Sequence, residues 1–209
     1  CLVGSEMCIR DSDTTANDLR FALLLPHKGK VYIDFVSMFP ENTFCGHKNG
    51  LREDVAGMLR DLRPDFVRWP GGCIVEGLTM DNRIKWKETI GDIVKRPGEY
   101  NLWGYRSTYG FGYHEFLQFC EDIDADGLFV CNAGMSCLFR NGDYWEEENR
   151  IDNLIQDALD AVEYALGDTT TVYGKRRAEN GHAAPFPLKY VEVGNENVGL
   201  RYVKNYNRF

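Results

Sequence analysis

Polar side chains with complementary chemistry follow two short apolar segments of the sequence. The first segment, Phe66–Trp69, carries Arg68 near its end and runs into a Pro-Gly-Gly turn. The second, Lys189–Val193, ends in Gly194-Asn195-Glu196, which places an amide beside a carboxylate. Hydrolysis of a glycosidic bond needs one carboxyl group that protonates the departing oxygen and a second that attacks or activates water. Glu196 is therefore the candidate general acid.

The backbone at the end of the second segment decides what these side chains can do. On a regular strand Glu196 shares a face with Gly194 and Glu192, while Asn195 points to the other side. Asn195 and Glu196 reach one pocket only if the chain bends at the strand end. Two simpler interpretations stay open, because Gly-Asn-Glu is also an ordinary turn sequence and an isolated arginine such as Arg68 often forms a structural ion pair. Glu192 is the expected partner of Arg68 and is interpreted as structural.

Two further residues are candidates for binding a sugar. Asn132 follows a third apolar segment, Leu128–Cys131, and its amide could bind a hydroxyl group, although Asn-x-Gly is also a common turn. Trp86 belongs to an aromatic-rich loop, residues 73–113, and aromatic faces stack on the apolar faces of sugar rings. Most aromatic residues of this loop are expected to be packing residues.

The elements that position these residues alternate regularly. Apolar residues follow helical spacing over 51–62, 113–123 and 150–166, and each of these segments precedes one of the three apolar strands. This pattern predicts parallel strands. Long loops after the strands are typical of the catalytic face of a (β/α)₈ barrel. The alternative is an open doubly wound sheet, but no Gly-x-Gly-x-x-Gly follows a strand. The predicted fold class is thus α/β, a partial barrel of about three strands.

The segment that precedes the barrel has a different character. Residues 1–12 lack a basic start followed by an apolar run, so they are not a signal peptide. They resemble a translated sequencing adapter, and we expect 1–18 to be an artefactual or disordered leader and the native N-terminus to be missing. Residues 19–45 predict a β-hairpin that belongs to a β-sandwich. Residues 46–209 then form the partial barrel.

Composition excludes several classes of function. The chain has 209 residues and a formal net charge of −8, whereas a nucleic-acid-binding face needs clustered Lys and Arg. No stretch has the uninterrupted apolar length of a membrane span. The seven cysteines show no Cys-x-x-Cys pair and no histidine cluster, so a metal site is not expected. A neutral or weakly polar substrate fits this composition.

An ordered set of motifs resembles family 51 α-L-arabinofuranosidases, in the larger subgroup where a β-sandwich precedes most of the barrel. The motifs are Asp34–Pro40, Asn49–Arg52, Arg68–Cys73, Trp86–Gly91, Arg96–Gly98 and Gly194–Glu196. The resemblance covers nearly everything from residue 30 onward. It implies a retaining exo-glycosidase without a cofactor, which removes terminal α-L-arabinofuranosyl groups from arabinoxylan, arabinan or arabino-oligosaccharides.

The resemblance also implies roles for individual residues. The acid/base of the family falls on Glu196, the amide that holds the sugar on Asn195, and the strand-end arginine on Arg68. Cys73 departs from the pattern, since many members have Asn there, and Asp92 stands where Pro is common. The family's nucleophile is a glutamate on a later strand, and no residue of this chain matches it. We therefore expect a fragment that is inactive alone.

Two other functions remain open at this stage. A retaining β-glycosidase of the same barrel clan would have a similar Asn-Glu strand end, and a carbohydrate-binding protein without catalysis would need no second glutamate. The sequence does not give the polysaccharide, the linkage, the oligomeric state or the compartment. Secretion or a periplasmic location would suit an enzyme that degrades polymers.

Overall fold

A computed structural model describes residues 22, 24, 26–34 and 36–209. The chain divides into two units, Cys1–Val36 and Ser37–Phe209. The described residues of the first unit contain no helix or strand. All elements that position the candidate site belong to the second unit.

The second unit is an α/β structure. Its elements in chain order are α1 (Glu53–Asp61), β1 (Phe66–Trp69), α2 (Gly72–Glu76), β2 (Glu99–Tyr100), β3 (Arg106–Ser107), α3 (Tyr113–Asp122), β4 (Asp126–Cys131), α4 (Glu148–Leu166), α5 (Val172–Glu179), β5 (Leu188–Val193) and α6 (Leu200–Tyr206). Short 3₁₀ helices lie at Phe44–Gly46, Trp86–Thr89 and Ile93–Lys95.

Three strands form a parallel sheet in the order β1-β4-β5. Arg68 pairs with Leu128, and Leu128 pairs in turn with Tyr190. This confirms the predicted strand order and direction, and the three predicted helices correspond to α1, α3 and α4 within a few residues. Because the strands are parallel, their carboxyl ends lie at the same edge of the sheet.

The core lies between this sheet and helices α3 and α4. The ring of Trp69 stacks on Phe116 and Phe129, with ring centroids 5.8 and 6.3 Å apart. Tyr113 is fully buried beside them and donates a hydrogen bond from its hydroxyl to the carbonyl of Ala161. A buried phenol of this kind needs such an acceptor. The central strand β4 is correspondingly the most buried of the three.

A single arginine organises the segment between α4 and β5. Arg177 is fully buried, and its guanidinium donates to the carbonyl oxygens of Tyr164, Ala165 and Gly167 at the end of α4. It also donates to His182. The last carbonyls of a helix have no partner within the helix, so the guanidinium supplies donors that α4 lacks. This contact fixes the chain as it enters β5.

Two predictions for the N-terminal part are not confirmed. The predicted hairpin covers residues 19–45. None of its described residues before Thr43 belongs to a strand; these are residues 22, 24, 26–34 and 36–42. Thr43 makes only an isolated bridge with Arg52. The predicted leader, 1–18, lies outside the described residues. Within the part of the chain that the structure describes, no helix is long and apolar enough to cross a membrane.

His114 makes the stability of the fold sensitive to acid. It is 7% exposed, its Nδ1 lies 2.7 Å from the Tyr164 hydroxyl, and burial lowers its pKa to about 4. The imidazole pKa in an unfolded chain is about 6.5. Between these values the unfolded chain binds a proton that the folded chain does not, so the unfolding free energy decreases as pH falls from about 6.5 to about 4, by at most about 3 kcal/mol.

We expect His114→Asn to reduce this pH dependence, because the amide offers Tyr164 a polar partner but does not titrate. The measurement is the melting temperature at pH 7 and pH 4.5 for both proteins. Other titrating groups are common to the two. An equal fall in melting temperature in both proteins would contradict the assignment.

Candidate active site

Arg68 connects the ends of the two outer strands. Its Nε and Nη2 donate to the two carboxylate oxygens of Glu192 at 2.7 and 2.6 Å. This confirms Glu192 as its partner. The hydrogen bond to Glu192 is the main cause that raises the pKa of Arg68. The following Trp69–Pro70 peptide bond is cis, and Gly71 has a φ of 68°. A Cβ at Gly71 would lie 3.0 Å from Nη1 of Arg68, so glycine leaves room for the guanidinium.

The chain bends sharply after β5, which is the condition that the sequence sets for Asn195 and Glu196 to reach one pocket. Gly194 has a φ of 80° and Glu196 a φ of 48°, both in the left-handed region. The Gly194 N–H donates to the carbonyl of Cys131 at 2.7 Å, and the Tyr202 hydroxyl donates to the carbonyl of Val193 at 2.9 Å. A Cβ at Gly194 would collide with the side-chain oxygen of Asn197. The strict alternation of the strand therefore ends at Val193.

The bend brings Asn195 against Arg68. Asn195 is 7% exposed, and its Oδ1 accepts a hydrogen bond from Nη2 of Arg68 at 2.8 Å. Its Nδ2 lies 3.4 Å from Oε2 of Glu76, and its backbone N–H donates to Oδ1 of Asn197 at 3.2 Å. Each polar group of the Asn195 side chain thus has a defined partner.

Glu76, which the sequence patterns did not single out, is the buried acceptor of this site. It ends α2, is 1% exposed, and accepts a hydrogen bond from Nδ2 of Asn197 at 3.0 Å. Burial raises the pKa of its carboxyl group, and hydrogen bonds from Asn195, Cys137 and Cys73 oppose this. The available signal was a lone carboxylate within the apolar segment after the Pro-Gly-Gly turn.

Glu196 differs from its neighbours because its side chain is exposed. The charge of Glu196 helps to raise the pKa of Arg68, although Glu192 has the larger effect. It also helps to raise the pKa of Cys73, where burial, Cys137 and Glu76 have larger effects. The carboxyl group therefore lies within electrostatic reach of the site and remains accessible from solvent. A group placed in this way can give a proton to a bound molecule and later take one from water.

The side chain of Asn132 is held by backbone groups and not by Arg68, Asn195 or Glu76. It is 6% exposed, and its Nδ2 donates to the carbonyls of Val75 and Met135. Its Oδ1 accepts from the backbone N–H groups of Gly134 and Met135. Since backbone groups occupy both ends of the amide, the predicted contact with a sugar is replaced by a structural role in the turn after β4.

Trp86 lies in the hydrophobic core. It is 5% exposed, and its ring packs on Tyr113, Tyr164 and Tyr173 with centroids 5.1 to 5.8 Å apart. Its indole N–H donates to the carbonyl of Asp157 in α4. The predicted stacking on substrate is therefore not supported, and Trp86 serves as a packing residue between helices.

Two groups of side chains have the spacing of metal ligands within the described residues. Cys73, Glu76 and Cys137 place their ligand atoms within 4.8 Å of one another, as do Cys45, His47 and Asp122. Burial raises the pKa of Cys73 to about 12. In this arrangement the Cys73 thiol donates a hydrogen bond to Glu76, which helps to hold that buried carboxyl group.

Comparison with known proteins gives one consistent family. The family model "Alpha-L-arabinofuranosidase 1 domain" matches residues 58–209. Alpha-L-arabinofuranosidase 2 from Arabidopsis thaliana is 40% identical over 201 residues, which are 95% of this chain and 29% of that protein. The extracellular exo-alpha-L-arabinofuranosidase of Streptomyces chartreusis is 41% identical over 175 residues, 78% of this chain and 21% of that protein.

Solved structures agree. An arabinose-bound family 51 α-L-arabinofuranosidase superposes with a TM-score of 0.69 at 40% identity, covering 74% of this chain and 24% of that one. The arabinose complex of the Thermotoga maritima α-L-arabinofuranosidase gives a TM-score of 0.56 at 29% identity, covering 73% and 27%. The chain spans 29% of the Arabidopsis relative and smaller shares of these structures. The family-model match over residues 58–209, together with the family 51 structure at 40% identity, establishes that the chain belongs to the family 51 α-L-arabinofuranosidases.

Proposed function

We propose that this chain is part of a retaining exo-glycosidase that hydrolyses terminal α-L-arabinofuranosyl groups from arabinoxylan, arabinan or arabino-oligosaccharides. The observation that carries the proposal is the bend after β5, which leaves Glu196 exposed while Asn195 is held against Arg68. The activity named for the relatives supports the choice of sugar.

The same proposal assigns the sheet to a larger barrel. In it, β1, β4 and β5 are three consecutive strands of a (β/α)₈ barrel within residues 46–209, and residues 19–45 belong to a preceding β-sandwich. The parallel order of the strands, with α3 before β4 and α4 before β5, supports the barrel. The connections from β1 to α3 and from β4 to α4 are long, and both begin at the edge where Arg68 and Asn195 meet.

The mechanism has two steps, and Glu196 acts in both. In the first, Glu196 donates its proton to the glycosidic oxygen as a second carboxylate attacks the anomeric carbon and the bond to the leaving group breaks. In the second, Glu196 takes a proton from water, and the oxygen of that water displaces the carboxylate. Neither step consumes a cofactor.

The second carboxylate must come from outside the three described strands. Glu192 is already held by two hydrogen bonds from Arg68, and Glu76 is 1% exposed. The two carboxyl groups of a retaining pair lie about 5 to 5.5 Å apart. A later barrel strand of the full-length enzyme would carry the nucleophile opposite Glu196.

Arg68 and Asn195 form the polar wall of the proposed sugar site. The guanidinium fixes the Asn195 amide with its oxygen towards Arg68 and its nitrogen towards Glu76. Glu76 takes only one of the two Nδ2 hydrogens of Asn195, so the other can donate to a sugar hydroxyl, and the fixed amide does so without first losing side-chain freedom. Hydrolysis of an aryl arabinofuranoside, but not of an aryl glucoside or xyloside, by the full-length enzyme would distinguish this function from that of a β-glycosidase.

In the full-length enzyme, we expect Glu196→Ala to slow hydrolysis of substrates with poor leaving groups most. Loss of general acid-base catalysis costs about 10² to 10⁴ in rate, and an activated aryl group needs little protonation. The measurement is kcat/KM for a series of aryl arabinofuranosides whose leaving groups differ in pKa.

Glu179→Ala is a matched control, because Glu179 is exposed and ends α5, which leads to the start of β5 and not to the end that carries Glu196. It should leave the whole series unchanged. If Glu196→Ala hydrolyses natural arabinosides and activated aryl arabinosides with equal, near-normal efficiency, Glu196 is not the acid/base.

We further expect the 209-residue chain alone to show no turnover of aryl arabinofuranosides. Glu196 can transfer protons, but among the described strand-end residues no second carboxylate is free to attack. The assay compares equal concentrations of the purified chain and the full-length enzyme. Activity of the chain that disappears in Glu192→Gln would instead identify Glu192 as a nucleophile.

A further inference from the structure

We propose that Glu76 is a positioning residue for Glu196, since its buried carboxylate holds the two asparagines that flank Glu196 in the sequence. This inference rests on the proposed function, because it assigns a role to Glu76 through the acid/base of that reaction. Glu76 itself is not expected to touch the reacting atoms.

The amide contacts of Glu76 are divided between the two residues that flank Glu196, while the thiols of Cys73 and Cys137 also donate to it. Its Oε1 accepts from Nδ2 of Asn197 at 3.0 Å, and its Oε2 lies 3.4 Å from Nδ2 of Asn195. Asn195 and Asn197 lie immediately before and after Glu196. One carboxyl group therefore fixes the side chains of the residues immediately before and after the proton-carrying Glu196.

The orientations of both amides require an acceptor at position 76. Oδ1 of Asn195 is taken by Arg68 at 2.8 Å, and Oδ1 of Asn197 is taken by the backbone N–H of Asn195 at 3.2 Å. Both amides must consequently turn their NH₂ groups towards Glu76. The two oxygens of Glu76 each face one of these NH₂ groups, so a single carboxyl group meets two amide donors at once.

The backbone at Glu196 needs this support. Its φ of 48° lies in a region that residues other than glycine adopt rarely, and such conformations persist only where the surrounding structure holds them. The side chain of Glu196 itself is exposed. The flanking amides, anchored on a carboxylate that is 1% exposed, supply the constraint.

The first test is Glu76→Gln in the full-length enzyme. Glutamine has the same size, but its NH₂ group would face the NH₂ group of one asparagine. We expect kcat for poor leaving groups to fall about 10- to 100-fold, which is part of the loss typical of general acid-base catalysis. Activated aryl arabinofuranosides should lose less than about 3-fold, since they need little protonation.

A reciprocal exchange tests the hydrogen bond directly. In the double variant Glu76→Gln with Asn197→Asp, the glutamine NH₂ group can donate to the new carboxylate, while its oxygen still accepts from Asn195. The new carboxylate can also accept from the Asn195 N–H, as the Asn197 oxygen does. We expect the double variant to recover part of the rate on poor leaving groups, which is the coupling that a double-mutant cycle measures.

Asn197→Ala provides a test that leaves the buried carboxylate intact, in case Glu76→Gln fails to fold. It removes the hydrogen bond from Asn197 to Glu76 and should also slow hydrolysis of substrates with poor leaving groups more than that of activated substrates. The proposal is overturned if folded Glu76→Gln or Asn197→Ala has normal rates, or loses rate equally on all leaving groups, as expected from a purely structural defect.

The acid/base variant separates failure of this inference from failure of the proposed function. If Glu196→Ala itself shows no dependence on the leaving group, the proposed function is wrong. If Glu196→Ala shows the dependence but the Glu76 and Asn197 variants do not, only the positioning role of Glu76 is wrong.

Discussion

The hydrogen bonds of Arg68 to Glu192 and Asn195 are the constraint on which the site depends. They reach from β1 to β5 across the strand between them, and then to the first polar residue of the bend. The side chains of Arg68 and Glu192 are 33% and 35% exposed, and ion pairs with such access to water contribute only about 0 to 1 kcal/mol to stability. The value of the pair is geometric. It fixes where the strand ends lie relative to each other.

Much of the scaffold follows from the sequence, because helical and strand spacing are local properties. The order of β1, β4 and β5 and the pairing of Arg68 with Glu192 were predicted correctly. Helix α5 was missed because its residues are mostly polar and show no clear apolar stripe. Glu76 was missed for a different reason. Its partners Asn195 and Asn197 lie 119 and 121 positions further along the chain, and no local pattern encodes contacts at that distance.

Asn132 and Trp86 show why residue type alone misleads. An amide after a strand can bind a ligand or complete a turn, and only the positions of backbone groups around Asn132 decide for the turn. A tryptophan in a loop can stack on a sugar or fill a core, and three tyrosines and a helix carbonyl enclose Trp86. Asn195 is the opposite case. Strict strand alternation predicts that Asn195 points away from the face of Glu192, but the bend at Gly194 turns its side chain towards Arg68.

The central claim is that Glu196 transfers the proton in both steps of a retaining mechanism. Azide rescue of Glu196→Ala in the full-length enzyme tests it most directly, because the small anion can occupy the space left by the carboxylate and attack the glycosyl-enzyme without base catalysis. The account predicts that azide increases turnover of an activated aryl arabinofuranoside and yields arabinofuranosyl azide of retained configuration. No increase in turnover, or an azide product of inverted configuration, would contradict it.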